Sequence, residues 1–459
     1  MKNLLFEQID KSKFMRNGKL NLFQIEHASP IDIIDFSKQS LELTSVKKLP
    51  REESVFSHSA SFSLGGSRWP CVVFDCRMAY VKQLAQFAAF YSDKVYIRNF
   101  LADHVEHSNK KNLSDVRKFQ KDFAEDLLIL NYLRPLIKAE KIVPITAPYF
   151  CTHCLAKHSL GQKDDRRLKK ALTKLIDRFN NQIKASVRME KGLYVVDAHG
   201  PEILLEHGAT VNVAEKMPVP LKKIPHIIAK IKKGKEIHLS RTALKKIGYA
   251  EYLAKKNYEN INFELATAQC LNTSFLTERI LHIDFLREIS LDPNIEQRNQ
   301  IIQKYMTCLV PFIEDIDPLE ILKLRAGEEE SFILFRNVLN KAINEYRKSG
   351  KNFSKRDAQA IFQDIIRPKL SLLDTRIKSA QRSLIKGVRR EIIAWTGAIS
   401  FGMYSGLLPD GLIAAASALG LVKIIAELTK RTMAKSDLEE TIRSQDLYFL
   451  WKVRQRQKS

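Results

Sequence analysis

The apolar and polar positions change period along the chain. Residues 1–60 scatter short apolar clusters among polar ones and predict an irregular leader. After Gly65-Gly66, Cys71-Val-Val-Phe74 is an apolar run ending at Asp75 and predicts a buried strand. Between Tyr80 and Tyr91, Val81, Leu84, Phe87 and Ala88 recur at helical spacing, and Lys94 to Arg98 alternates like a strand. Asp115 to Ala139 predicts a long helix with Phe119, Phe123, Leu127, Leu130 and Leu133 on one stripe, and Ile142-Val-Pro-Ile145 a further strand. Strands separated by helices of these lengths pair in parallel, so the front of the chain predicts a small open α/β sheet.

Helical spacing returns from Arg166 to Met189. Leu193 to Val196 and Ile203 to Leu205 flank a connection through Gly200-Pro201, which predicts a hairpin. A proline-rich link (Pro218, Pro220, Pro225) leads to lysine-rich helices. Beyond Pro318 strand signals almost vanish, and Leu319–Tyr346, Lys355–Ile366 and Leu370–Ile393 suit long helices, with a break at Pro368. The fold class expected is mixed α+β: a leader over 1–60, an α/β domain over 61–316 and a helical domain over 317–459 with an apolar helical hairpin at 392–428. The run Asp317-Pro-Leu-Glu-Ile-Leu322, continuing through Gly327-Glu-Glu-Glu-Ser-Phe332 to Phe335-Arg336, resembles a segment of uncharacterised prokaryotic proteins. That resemblance implies no activity. Glu328, Glu329 and Glu330 beside Phe332 and Phe335 read as an acidic helix face.

Charge narrows the partners. Seventy-five lysines and arginines against 52 acidic residues give a net charge of +23, which favours nucleic acid, a phosphorylated ligand or an acidic membrane surface. A hydrophobic content of 45% argues against wholesale disorder. Six cysteines in 459 residues do not make a disulfide framework. Glu7 and Asp10 interrupt any apolar signal core, so the expected location is cytoplasmic, with peripheral or conditional membrane association.

Four features carry candidate chemistry. Cys151 and Cys154 have the two-residue gap with which paired thiolates hold a zinc ion, and His158 lies one helical turn further on. A structural zinc site would draw its fourth ligand from His104, His107 or Cys270. Asp75, placed at a strand end, with Asp93 and Asp103 near the next unit, could converge on Mg²⁺ for phosphodiester hydrolysis. His104 and His107 are three apart, which does not fit a zinc-protease helix. Gly65-Gly66-Ser67 lacks the helix and lysine of a phosphate loop.

The third feature is the basic material: Lys169 and Lys170; Lys230, Lys232 and Lys233 after the prolines; and Arg382, Lys386, Arg389 and Arg390 on a late helix. Their only neighbouring aromatics are Tyr249, Tyr252 and Tyr258, so phosphate contact rather than base reading is indicated. The fourth is Ile392 to Val422, whose single charge is Asp410. Trp395, Gly397, Gly402, Pro409 and Ala415 mark it as a hairpin suited to self-association or membrane contact. Its first arm rises roughly 25 Å against a hydrocarbon core of about 30 Å.

These readings combine into a basic protein that binds a polyanion, nucleic acid or anionic lipid, and need not be an enzyme. The alternatives are a metal-dependent nuclease using the strand-end carboxylates and a membrane-disrupting effector acting through the hairpin. Architecture alone suggests an analogy with defence or cell-suicide effectors.

Overall fold

A computed structural model describes residues 2–45, 57–90, 92–108, 115–146, 165–190, 192–213, 221–231, 235–282, 284–285, 306–307, 310–312, 318–327, 333, 397–399 and 402–404. In chain order the elements are α1 (Lys2–Lys11), β1 (Met15–Arg16), β2 (Lys19–Leu20), α2 (Leu22–Glu26), α3 (Pro30–Thr44), β3 (Ser57–Ala60), α4 (Phe74–Phe90), β4 (Lys94–Arg98), α5 (Ala102–Ser108), α6 (Val116–Lys138) and β5 (Ile142–Ile145). There follow α7 (Asp165–Gln182), β6 (Lys184–Glu190), β7 (Leu193–His199), β8 (Ala209–Val213), α8 (Pro225–Ile231), β9 (Ile237–His238), α9 (Arg241–Ile247) and α10 (Tyr249–Leu271). The last are β10 (Ser274–Thr277), β11 (Met306–Thr307), β12 (Val310–Phe312), α11 (Pro318–Gly327), β13 (Gly397–Ile399) and β14 (Gly402–Tyr404). The chain divides into two compact units, one from Met1–Pro148, Leu271–Glu278 and Lys304–Ser459, the other from Tyr149–Cys270 and Arg279–Gln303.

The first unit is built on a sheet of order β11-β14-β10-β3-β4-β5, in which β10, β3, β4 and β5 run parallel and β14 runs antiparallel to β10. The parallel pairing expected from alternating strands and helices is present. The apolar stripe of α6 is buried as its period predicts, with Phe119, Phe123, Leu127, Leu130 and Leu133 all inside. Phe123 meets Phe14 and Phe36 edge-on at 5.0 and 5.6 Å between ring centres. Pro30 opens α3, whose capping box is closed by Ser29 and Asp32.

Several expectations need correction. Residues 1–60 are not an irregular leader: α1 and α3 bury Leu5, Phe6, Ile9, Ile33 and Phe36, and β3 is an interior strand of the sheet. Cys71–Phe74 is not a strand. Val72 and Val73 are exposed, and α4 already begins at Phe74. The helix expected to reach Met189 stops at Gln182 and gives way to β6, because Val187 and Ala185 find places in a second sheet. Leu193–His199 pairs with β6 and with Ala209–Val213, and Ile203–Leu205 forms a turn rather than the second arm of a hairpin. Gly397–Ile399 and Gly402–Tyr404 are extended and pair with β12 and β10. Glycine every few residues weakens a helix there, while Ile399 and Tyr404 suit a pleated surface. Trp395, Pro409, Ala415 and the rest of 405–459 lie outside the described residues.

A buried ionic cluster holds the first unit together. Asp126, on the inner face of α6, has no exposed surface and accepts from the guanidinium of Arg77 on α4, from His104 Nε2 on α5 at 2.7 Å and from Arg68 Nη2 at 3.1 Å. Arg77, 1% exposed, also donates through Nε and Nη2 to the carbonyl of Gly66 at 2.9 and 2.7 Å. Gly66 has φ +91°, and a Cβ there would stand 2.9 Å from Val81 Cγ2, so only glycine fits. Burial by itself would raise the Asp126 pKa; the His104 hydrogen bond and the charges of His104, Arg77 and Arg68 outweigh it and hold it at about 2. Beside it, burial pushes Glu125 upward against the opposing pull of Arg68.

Removing one member leaves the others buried and uncompensated, so Arg77→Met should cost about 3–5 kcal/mol in a urea melt. The Asp126 carboxylate stabilises the fold fully above its unfolded pKa near 3.8, and that contribution, about 2 kcal/mol, disappears as pH falls toward 2. Stability measured between pH 4 and pH 2 should therefore fall less steeply in Asp126→Asn than in the parent protein.

Candidate functional site

In an open parallel sheet, ligands gather beyond the carboxyl ends of the strands, where the order of connection reverses. Here the chain runs from β3 to β4 to β5 on one side and returns to the other side of β3 only with β10. At that junction Ser61 Oγ donates to Glu278 Oε2 at 2.7 Å, and Ser63 Oγ donates to Glu278 Oε1. Arg98, at the end of β4, pairs with Asp103 at 3.2 Å and lies 5.0 Å from the centre of the Phe62 ring.

The intervening loop closes on itself. Gly65 N donates to Ser61 O, Gly66 N to Ser63 O, Ser67 N to Phe62 O, and Leu64 N to Ser61 Oγ. Amides engaged in this way are not offered to a phosphate. The arrangement positions one carboxylate on two hydroxyls, and its polar capacity is largely spent within the protein.

The carboxylates singled out in the sequence do not assemble. Asp75 is exposed in the first turn of α4, Asp93 precedes β4, and Asp103 lies past its other end. Five residues of strand separate the last two by roughly 17 Å. Among the described residues these three offer no group of ligand atoms within 4.8 Å of one another. Asp93 instead lies 3.8 Å from Arg325, which reaches the carbonyls of Ala89 and Ser92 from α11.

Cys151, Cys154 and His158 lie outside the described residues. His104, considered as a fourth ligand, is turned inward to Asp126. A different pair of thiols is close together: Cys71 and Cys76 place their sulfurs within 4.8 Å. That supplies two of the ligand atoms a metal ion of the zinc type takes.

The second unit carries its own buried polar cluster and its basic surface. Its sheet is antiparallel, of order β8-β7-β6-β9, and α7 buries Ala171, Leu175 and Phe179 at four-residue spacing. Arg279 donates through Nη2 to Asn257 Oδ1 and through Nη1 to His282 Nε2, each at 2.8 Å. Because arginine only donates, His282 carries its proton on Nδ1, 3.5 Å from Glu264 Oε2. Burial, and then the charge of Arg279, drive the His282 pKa well below 6.5.

The lysines lie on the outside. The turn Leu221–Lys223 packs against α8 and α9, and α9 also packs against α7. From these adjoining elements Lys170, Lys223, Lys230, Lys245 and Lys246 project, all exposed. Between Lys216 and Lys256 the chain has twelve lysines and arginines against two glutamates, Glu236 and Glu251. Glu251 pairs with Lys255 at 2.5 Å, and Glu236 accepts from Ser186. Among the described residues, Lys170, Lys223, Lys230, Lys245 and Lys246 have no carboxylate partner.

Lys169 is exposed on α7, and Lys232, Lys233, Arg382, Lys386, Arg389 and Arg390 lie outside the described residues. Tyr249 is fully buried, with its hydroxyl accepting from Asn212 Nδ2 at 2.8 Å, so it offers no stacking face. Tyr252 is half-buried, and Lys256 lies 5.9 Å from its ring centre.

Sequence reasoning missed Glu278 and its serines, which are more than 200 residues apart, as well as Arg77 and Asp126. No family model, curated protein or solved structure matches the chain.

His282 supplies a measurable consequence. The unfolded chain takes up a proton near pH 6.5 that the folded His282 refuses, so stability is complete above that pH and is lost as pH falls below it. The slope contributed should approach about 1.4 kcal/mol per pH unit. Urea melts from pH 7 to pH 5, following a reporter in the second unit, should show this slope in the parent and lose it in His282→Gln.

Proposed function

We propose that the second unit holds the phosphate backbone of a nucleic acid without reading its sequence. The observation that carries this reading is the set of exposed lysines without carboxylate partners on adjoining elements, Lys170, Lys223, Lys230, Lys245 and Lys246. In the first unit Lys13, Lys38 and Lys121 each lie within 4.0 Å of a carboxylate, while Lys19 and Lys118 are exposed without one among the described residues; what sets the second unit apart is that its unpaired lysines share adjoining elements. Unneutralised ammonium groups release condensed counterions when they meet phosphates, which gives affinity that depends on salt rather than on base sequence.

An anionic membrane offers the same charge, but an interfacial helix also needs an apolar face to sink into lipid. Here that face is already committed. Helix α8 turns Ile227 and Ile231 inward, and α9 does the same with Ala243, Leu244 and Ile247. Among the described residues, no large apolar side chain between 216 and 256 is exposed. No helix of the described residues is long and apolar enough to cross a membrane. The reading requires no chemical step.

Fluorescence anisotropy with unrelated single-stranded and duplex oligonucleotides should give similar affinities that fall linearly in log–log form with salt. Reversing Lys245 and Lys246 together to glutamate should weaken binding to every sequence and flatten the salt slope by about 1.4–1.8. Capture by phosphatidylserine vesicles with no binding to any oligonucleotide would overturn the proposal.

A further inference from the structure

Cys71 and Cys76 stand on either side of a pair of valines turned to solvent, Val72 at 58% and Val73 at 51% exposure. Cys71 is buried in the irregular segment that leads into α4, and Cys76 is half-buried in the helix's first turn. Neither is in a disulfide, and their sulfurs lie within 4.8 Å.

The two ends of this segment lie in different backbone settings. Arg77, the residue after Cys76, is held by Gly66 O and Asp126, which fixes the first turn of α4. Cys71 lies outside the helix, in the irregular segment ahead of it. A disulfide needs its sulfurs at about 2.05 Å and its Cα atoms within roughly 4.4–6.8 Å. Rotation at Cys71, with a small backbone adjustment ahead of α4, closes the remaining gap while the helix stays wound.

We propose that Cys71 and Cys76 form a reversible dithiol–disulfide pair, oxidised by low-molecular-weight disulfides of the glutathione type. The more accessible Cys76, as thiolate, attacks one sulfur of oxidised glutathione, and one glutathione leaves as a thiolate that takes up the displaced proton. Cys71 then loses its proton, attacks the Cys76 sulfur of the mixed disulfide and releases the second glutathione. Two thiols of the protein are oxidised, one small disulfide is reduced to two thiols, and electrons and protons balance. The new bond closes a ring over residues 71–76, restraining the exposed valines and the entry to α4.

Cleavage after Arg68 and Arg77 yields the peptide Trp69–Arg77, which contains these two cysteines and no other. The full chain is equilibrated with mixtures of oxidised and reduced glutathione, blocked with iodoacetamide, digested and weighed. The expected product is this peptide without alkyl groups and lighter by two hydrogens, restored by dithiothreitol. Because the fold holds the sulfurs together, half-oxidation should occur at a ratio of oxidised to reduced glutathione about ten-fold lower than for the same chain in denaturant. Cys71→Ser should retain glutathione on Cys76 as a stable mixed disulfide, which reports the order of attack without depending on the stability of the fold.

Equal ratios in folded and denatured chains would overturn the proposal, as would linkage of either cysteine to a different one. Stoichiometric zinc that shields both thiols and is lost in Cys71→Ser would overturn it in favour of a metal site.

Discussion

The first unit depends on making an interior carboxylate affordable. A lone ion taken from water into a protein interior costs several kcal/mol, so Asp126 can sit inside α6 only if its partners arrive with it. Those partners come from three other stretches of chain: Arg68 from the loop after β3, Arg77 from α4 and His104 from α5. An apolar contact tolerates sliding, but a buried ion pair does not. The cluster therefore selects one arrangement of α4, α5 and α6 over others that would bury similar apolar area. Arg77 extends the constraint to the backbone, because its second contact, the carbonyl of Gly66, fixes the loop that carries Ser61 and Ser63 to Glu278. The geometry of the sheet end is thus set partly from the far side of α4.

What the sequence disclosed follows the same division. The stripe on α6 and the strands β4 and β5 were legible because apolar side chains repeat at the period of the element that buries them. β3 was not, since Ser57-His-Ser-Ala60 has no apolar alternation, yet it is an interior strand with all four residues buried. Its neighbours supply what its composition withholds: Ser59 meets Thr273 at 2.6 Å, and the His58 ring meets Phe87 edge-on at 5.3 Å. Cys71–Phe74 failed in the opposite sense, an apolar run whose valines face water. A usable signal for the cluster did exist. Asp126 occupies the stripe of Phe119, Phe123, Leu130 and Leu133, where a carboxylate is out of place unless it is paired. The identity of its partners was hidden, because nothing local connects position 126 to 68, 77 and 104.

The second unit solves the problem of charge by separation. Among the described residues, buried Arg279, His282 and Glu264 are joined, with His282 accepting from Arg279 and facing Glu264. Its lysines are pushed outward by short helices whose apolar sides are consumed by the core. Helix α9 shows how little sequence this needs. Ser240 caps its start, Gly248 at φ +75° ends it, and the intervening seven residues place Ala243, Leu244 and Ile247 inside and Lys245 and Lys246 outside. The positive charge at its last turn also complements the helix dipole, so part of the lysine placement serves the helix itself. That explanation covers Lys245 and Lys246 but not Lys170 or Lys223, which lie on neighbouring elements away from any helix end of that kind.

The first turn of α4 is where the constraints of the first unit meet. Arg77 cannot move without exposing or orphaning Asp126, and Gly66 cannot accept a side chain without meeting Val81 on the same helix. Residues 66, 68 and 77 are therefore all pinned, leaving Trp69–Cys76 as a strap between fixed points. A strap so short has little conformational freedom to lose, which lowers the entropic cost of joining two positions within it. A covalent link between Cys71 and Cys76 therefore changes chiefly the short exposed stretch around Val72 and Val73, while the ionic cluster beneath stays as it is. The buried network explains both why the two thiols are held close and why the fold can accept a bond between them.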